Sequence, residues 1–197
     1  MPLVFPEPPS NFVGFFREHL SRLATHYASH SLEHPLAEPF SPGGTEMPHE
    51  IFTLSLLVLR RQADVSSASP QGWRLFLRQA PPIRVAEVDR SPNDNSLIFL
   101  GITAGPQVDY TRQLLEKFKA DRELDAIYTV RLLRVQPLYL NCVWLSTGRS
   151  HEDFFLPVPP VFSPFSLGSR YRRDDMAQLL TTAALQKSPN TKVLFGE

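Results

Sequence analysis

Cysteine is almost absent from this chain. Cys142 is the single example among 197 residues, which excludes an internal disulfide framework. The N-terminal segment also lacks the basic region and unbroken apolar run of a secretory signal, because prolines occupy positions 2, 6, 8 and 9. These two features predict a protein that works in a reducing compartment, and we expect a cytoplasmic location.

An excess of charge of one sign is also missing. Lys and Arg together number 20, as do Asp and Glu, so no overall field attracts nucleic acid or an anionic surface. Arg170, Arg172 and Arg173 form a short basic run. Asp174 and Asp175 follow it directly, however, which is typical of a solvated helix start. We therefore expect no nucleic-acid partner.

Long hydrophobic runs are lacking as well. The longest uncharged stretch covers residues 154–169 and is interrupted by four prolines. A helix that spans a bilayer needs about 20 apolar residues, so we expect no membrane partner. With 42% hydrophobic and 20% charged residues, the composition is typical of a globular protein, which at this length needs neither metal nor disulfide to fold.

The chain does contain short apolar runs grouped around amphipathic helices, which predicts an α+β fold. We expect a single domain over residues 1–197. Residues 1–48 form an N-terminal helix and a Pro/Gly-rich loop, and residues 49–197 form the core. A proline-rich arm over 154–165 and a C-terminal helix complete this core.

Apolar residues at spacings of 3.6 residues predict three helices: one near the N-terminus, one over 106–121 and the C-terminal helix. The first begins at Ser10 or Asn11, which can cap it, and runs to about His30. A loop over 31–48 follows it, since this stretch holds six prolines and glycines in close succession. The clearest helix covers 106–121 and is expected to pack across one face of the sheet.

The sheet is expected to be mostly antiparallel, with five or six strands. Residues 51–59 are apolar almost throughout, which favours a strand in the first half and a helix in the second. The run 97–102 is apolar on both sides and is therefore expected to be a central strand. The other candidate strands are 73–78, 83–88, 128–135, 138–145 and 154–158. The ranges 128–135 and 138–145 form one long strand if the chain only bends at Pro137.

A metal site is a weak candidate on the first helix. His26 and His30 lie four residues apart and can share a zinc ion. The glutamate that follows the first histidine in zinc proteases is replaced by Tyr27. Imidazoles also suit the border of an apolar helix face, so we predict no metal and no cofactor.

The turn between the 97–102 strand and the next helix is a second weak candidate. Gly101 and Gly105 precede a helix N-terminus, where free N–H groups can hold an anion. The glycine spacing matches neither the dinucleotide nor the Walker pattern, and Pro106 removes one donor. An ordinary strand-to-helix turn is the preferred interpretation.

Candidate catalytic groups are few. A histidine–carboxylate pair for acid–base chemistry could be drawn from His49, Glu50, His151 and Asp153. Consecutive residues in an extended segment point to alternate sides, however, so the adjacent residues His151, Glu152 and Asp153 cannot all converge on one substrate atom. Cys142 lies in the middle of an apolar strand, where a free thiol usually behaves as a small buried hydrophobe.

The arm over 154–165 is the strongest candidate for binding. Its prolines fix an extended backbone that loses little entropy on docking. The arm either packs on its own domain, tying down the C-terminal helix, or contacts another chain. Its candidate binding residues are Phe154, Phe155, Pro159, Pro160, Phe162 and Phe165.

These patterns favour a non-catalytic interaction or adaptor module, whose partner is another protein or a second copy of the chain. The alternative is a small hydrolase or transferase that uses a histidine–carboxylate pair. Pattern alone does not separate them, because catalytic groups can converge from distant positions.

Overall fold

The computed structural model describes residues 3–29, 45–61, 64–77, 82–121 and 126–187. Within these ranges the chain forms nine strands and four α-helices. The helices are α1 (Ser10–Ser29), α2 (Leu56–Arg60), α3 (Pro106–Ala120) and α4 (Arg173–Gln186). The strands are β1 (Leu3–Val4), β2 (Thr45–Thr53), β3 (Ser69–Leu77), β4 (Arg84–Arg90), β5 (Leu97–Ala104), β6 (Tyr128–Val135), β7 (Leu140–Ser146), β8 (Phe154–Val158) and β9 (Tyr171–Arg172).

The α+β class predicted from the sequence is confirmed, but the predicted number of strands is too low. β1 and β9 contain two residues each, which is too short for alternation of apolar and polar residues to reveal them. The 128–145 region forms two separate strands, β6 and β7, and not one bent strand.

All nine strands belong to one sheet, in the order β5-β4-β3-β2-β6-β7-β8-β9. β2 runs parallel to β6, and β1 pairs in parallel with the first residues of β6. All other pairings are antiparallel. The mostly antiparallel character of the sheet is therefore confirmed.

The helices cover the two faces of the sheet unequally. α3 packs on one face, here called the α3 face, where Leu115 lies against Phe76 and Val130 in a shared cluster. On the opposite face, α1 covers the β3–β4 end through Phe12, Phe16 and Leu20. α4 and α2 cover the β6–β8 end of that opposite face, and the buried residues Leu59, Met176, Leu180 and Ala184 anchor them there. The core is thus divided into three apolar clusters.

The helix boundaries follow from local signals in the sequence. α3 begins at Pro106, in the first turn where a missing N–H costs little. α2 begins after Ser55, whose hydroxyl accepts a hydrogen bond from the Val58 N–H at 3.3 Å. Residues 51–59 are therefore a strand followed by a helix, in the order expected. None of the helices in the described ranges is long and apolar enough to cross a lipid bilayer.

The predicted loop over 31–48 is wrong at its end. β2 already begins at Thr45, and residues 30–44 lie outside the described ranges. The strand accommodates Pro48 through a register shift between Glu46 and His49, with Met47 at a φ of 47°. A bulge of this kind leaves a strand residue unpaired, which is where a proline can be accepted.

The predicted central position of the 97–102 strand is also wrong. β5 lies at one end of the sheet and pairs with β4 alone among the described residues. The presence of apolar residues on both sides of β5 therefore has another explanation than burial on both faces. Phe99 faces α1, whereas Ile98 and Leu100 are exposed.

Candidate functional site

The β5 edge is the candidate site, because it presents a long strand edge without the usual protection. Seven of its eight residues pair with β4, from Leu97 opposite Arg90 to Ala104 opposite Arg84, and Leu100 has no partner in this register. Edge strands are normally kept from pairing with other chains by charge, by proline or by a bulge. β5 contains no charged residue and no proline. Its one protective feature is a register shift just before Gly101, which has a φ of 130°.

The side chains of β5 divide between a covered face and an open one. Phe99 stacks on His19 of α1, with ring centres 5.4 Å apart, and also approaches Phe16. Ile98 is 44% exposed and Leu100 is 50% exposed. Two aliphatic side chains two positions apart therefore lie open beside a backbone edge that pairs with no other strand of the described residues.

A cluster of buried charge lies behind this edge, on the α3 face. Glu87 of β4 accepts a hydrogen bond from Arg74 Nε of β3 at 2.6 Å. It also accepts two from Arg134 Nη2, at 2.9 and 3.0 Å, although Arg134 belongs to β6 and lies beyond both β3 and β2. Burial by itself raises the pKa of Glu87, but the two arginines outweigh it and hold the pKa below its usual range.

Asp89 completes this cluster. Its Oδ2 accepts a hydrogen bond from Gln71 Nε2 at 2.8 Å, and its buried Oδ1 has no partner among the described residues. Burial raises the pKa of Asp89, and nearby Glu87 adds to the shift while Arg134 opposes it. Two arginines thus face two carboxylates. Because these charges balance, the cluster is best explained as a structural tie between β3, β4 and β6.

Gly72 lets the cluster pack closely. A Cβ atom at this position would lie 2.2 Å from the Val88 carbonyl oxygen and 2.6 Å from Asp89 Oδ1. Glycine therefore occupies this place in the middle of a strand because the neighbouring strand leaves no room for a side chain.

His49 and Glu50 lie on opposite faces of the sheet. His49 is buried on the α3 face, opposite Arg74, where its ring contacts Phe76 and its Nδ1–H donates to the Met47 carbonyl oxygen at 2.9 Å. Burial, helped by nearby Arg74 and opposed by the Met47 hydrogen bond, lowers the pKa of His49 to about 4. The ring is therefore neutral near pH 7.

Glu50 faces the other side, next to Arg131 in the register of β2 and β6. Burial raises the pKa of Glu50, against the opposing effect of Arg131. The Arg131 guanidinium stacks on Phe52 and Trp144, at 5.0 and 4.8 Å from their ring centres. The sheet itself separates Glu50 from His49, so these two residues do not form an acid–base pair with each other.

His151 and Asp153 also lie in different environments, one exposed and the other buried. The His151 side chain is exposed, and its Nε2 lies 3.6 Å from a carboxylate oxygen of Glu152. Asp153 is buried and accepts hydrogen bonds from Trp144 Nε1 at 2.9 Å, from Ser146 Oγ at 3.3 Å and from the Thr147 N–H at 3.1 Å. Both oxygens of its carboxylate accept hydrogen bonds that close the β7–β8 turn.

Replacing Asp153 by asparagine is expected to lower the free energy of unfolding by about 2 kcal/mol, because one carboxylate oxygen becomes an N–H donor that faces other donors. Urea denaturation followed by tryptophan fluorescence measures this loss. The neighbouring variant E152Q is the control, since Glu152 makes only long contacts to Arg149 and His151, at 3.7 and 3.6 Å. A D153N loss no larger than that of E152Q would contradict the assigned role.

The remaining candidates are the thiol of Cys142 and the proposed metal ligands His26 and His30. The Cys142 thiol is fully buried beneath α4, and burial raises its pKa. A raised thiol pKa works against nucleophilic reactivity. His26 is exposed on α1, and its predicted partner His30 lies outside the described residues. Within the described ranges, no group of three His, Cys, Asp or Glu side chains could hold a metal ion.

The predicted binding arm is largely incorporated into the protein's own core. Phe154–Val158 is strand β8, which pairs with β7 and β9. Phe155 and Phe165 are buried beside α4, and Phe154 is half-buried on the α3 face. Pro159 is half-buried, and Pro160 and Phe162 are exposed. The interpretation in which the arm packs on its own domain agrees with this arrangement.

The turn from β5 to α3 is an ordinary connection. Gly105 precedes α3 with a φ of 132°, a backbone conformation that favours glycine. The nearest atom to a Cβ built on Gly105 is the side-chain oxygen of Gln107, at 3.1 Å. These observations account for the glycine without an anion.

Comparison of the chain with protein-family models, with curated proteins and with solved structures finds no match. No function is therefore suggested by likeness. The sequence does not identify β5 as an edge strand, because an uncharged run that is apolar on both sides is equally typical of a central strand.

Proposed function

We propose that this protein is a non-catalytic interaction module whose β5 edge accepts an extended segment of another protein as an additional strand. The observation that supports it most is the uncharged β5 edge, with Ile98 and Leu100 exposed beside it. Main-chain hydrogen bonds supply the affinity in strand addition, and side chains that alternate along the strand supply the specificity.

The chemistry of β5 defines the segment that fits. It is extended and uncharged over about eight residues, so that it can follow the length of the edge. Aliphatic side chains at alternate positions would pack next to Ile98 and Leu100 on the open face. The other face of the edge is already occupied where α1 covers Phe99.

A second copy of the chain fits this edge less well than another protein does. Two antiparallel β5 strands in full overlap would meet between Leu100 and Gly101, at the middle of each strand. The register shift of β5 falls at the same place, since Val88 pairs with Phe99 and Glu87 pairs with Gly101. Both irregularities would coincide and interrupt the ladder.

The contact is assigned to β5 and not to the proline-rich arm, because Phe155 and Phe165 already serve the protein's own core. The alternative of a hydrolase or transferase has no comparable support. His49 and Glu50 point to opposite faces, and Asp153 is fully hydrogen-bonded.

Peptide selection tests the proposal and does not require an identified partner. Peptides selected from a displayed random library are expected to show alternating aliphatic residues. Replacing Ile98 by lysine is expected to weaken their binding by about tenfold or more, because a charge on an edge strand opposes pairing. The dissociation constants of synthetic copies of the selected peptides measure this change.

Ile127→Lys is the matched control, because Ile127 is 68% exposed and lies beside β6, away from the β5 edge. It should leave binding of the peptides unchanged. Equal binding by I98K and the unsubstituted protein would overturn the proposal. A stable dimer of the unsubstituted protein that I98K dissociates would instead show that a second copy is the occupant.

A further inference from the structure

The three arginines before α4 have different surroundings. Arg173 is paired with Asp64 through both its Nε, at 2.8 Å, and its Nη2. Arg170 and Arg172 are exposed, and neither makes a hydrogen bond or an ion pair with the residues that the structure describes. The basic run therefore contains one structural arginine and two that have no hydrogen bond or ion pair with the described residues.

Arg170 and Arg172 are both held against the same aromatic ring. The Arg170 guanidinium carbon lies 5.1 Å from the centre of the Phe154 ring, and that of Arg172 lies 5.6 Å from it. Arg170 also stacks on Phe118 at 5.0 Å. Cation–π stacking restricts these long side chains without using any of their N–H donors. The two guanidinium groups consequently share one aromatic contact on the α3 face and are partly ordered before a ligand arrives.

The charges near this pair are of both signs, because two lysines and one aspartate, Asp121, lie at the end of α3. Arg172 pairs with Phe154 in the β8–β9 register, so both side chains lie on the α3 face. Lys117 and Lys119 flank Phe118 in the last turn of α3, at the same end of the sheet. The acids that follow the arginines in sequence, Asp174 and Asp175, belong to α4, which packs on the opposite face.

The geometry points to a binding site for a phosphate monoester, formed by Arg170 and Arg172 next to their common contact with Phe154. A planar guanidinium binds a pair of phosphate oxygens through two parallel N–H donors. A phosphate monoester carries close to two negative charges and three terminal oxygens, so it can engage both arginines together. A single carboxylate satisfies only one of them. This inference is independent of the β5 edge, which lies at the other end of the sheet.

The test uses NMR of the full chain, in which the Nε–H signals of Arg170 and Arg172 report binding directly. The probes are inorganic phosphate, a short peptide with one phosphoserine, and the same peptide unphosphorylated. The phosphopeptide is expected to shift both signals saturably and to bind about tenfold more tightly than its unphosphorylated form. If inorganic phosphate binds as tightly as the phosphopeptide, the natural ligand is a small phosphorylated molecule. If the phosphopeptide binds more tightly, it is a phosphorylated partner protein.

Three variants separate specific binding from general attraction. R170Q/R172Q is expected to weaken binding by about tenfold or more, and R170K/R172K by a similar factor because lysine keeps the charge but loses the paired donors. Arg17→Gln, on the exposed side of α1, should have no effect. Undiminished binding by R170K/R172K, or equal weakening by R17Q, would overturn the site. Binding to phosphatidylserine vesicles without any shift caused by the soluble monoesters would overturn it as well.

Discussion

Replacing Glu87 by glutamine is expected to lower the free energy of unfolding by about 3–5 kcal/mol, because two buried arginines then lose their shared counter-charge. The side chains of Arg74 and Arg134 are only 10% and 14% exposed, so water cannot replace the lost carboxylate. Urea denaturation measures the effect, with the slope of the transition showing whether the variant still unfolds in one step.

The control is E116Q, which removes the exposed partner of Arg112 in an i,i+4 pair on α3. Surface pairs of this kind contribute well under about 1 kcal/mol, so E116Q should leave the transition almost unchanged. An E87Q loss as small as that of E116Q would show that the cluster does not tie the strands behind β5 together.

Acidification from pH 7 to pH 4 is expected to remove about 3 kcal/mol of stability through His49 alone. The unfolded chain protonates this histidine near pH 6.5, whereas the folded protein resists protonation until about pH 4. The unfolded state therefore binds more protons across this window. Stability that is fully present above pH 6.5 is lost as the pH falls toward 4.

The variant H49N isolates this effect, since its amide N–H can replace the Nδ1 donor to the Met47 carbonyl oxygen but does not titrate. Between pH 7 and pH 4, the loss of stability of H49N should be about 3 kcal/mol smaller than the loss of the unsubstituted protein. H151N, at an exposed histidine, should retain the full loss. Parallel pH profiles for H49N and the unsubstituted protein would refute the buried, neutral state of His49.

The parts of the fold that sequence predicts well are those whose signal is local. α1 and α3 follow from apolar residues at helical spacing, and α2 agrees with the helix expected in the second half of the apolar run 51–59. The buried position of Cys142 likewise follows from its apolar neighbours in β7.

The parts that sequence misses depend on strand order. Glu87 lies 13 residues from Arg74 and 47 residues from Arg134 along the chain, and only the pairing of β4, β3, β2 and β6 brings them together. The edge position of β5 also depends on strand order, because the residues of a strand do not determine which strands lie next to it in the sheet. The separation of Arg173 from Arg170 and Arg172 depends on Asp64, which is distant in sequence.

The most direct test of the account is amide hydrogen exchange along β5, in the free protein and with a peptide selected from the displayed library. In the free protein, about every second amide of residues 97–104 should exchange quickly, because outward N–H groups of an edge strand have no partner, while β3 amides stay protected. Saturating peptide should slow the fast amides of β5. Uniform protection of β5 in the free protein, or protection by the peptide at another place, would contradict the proposal that this edge is an open docking strand.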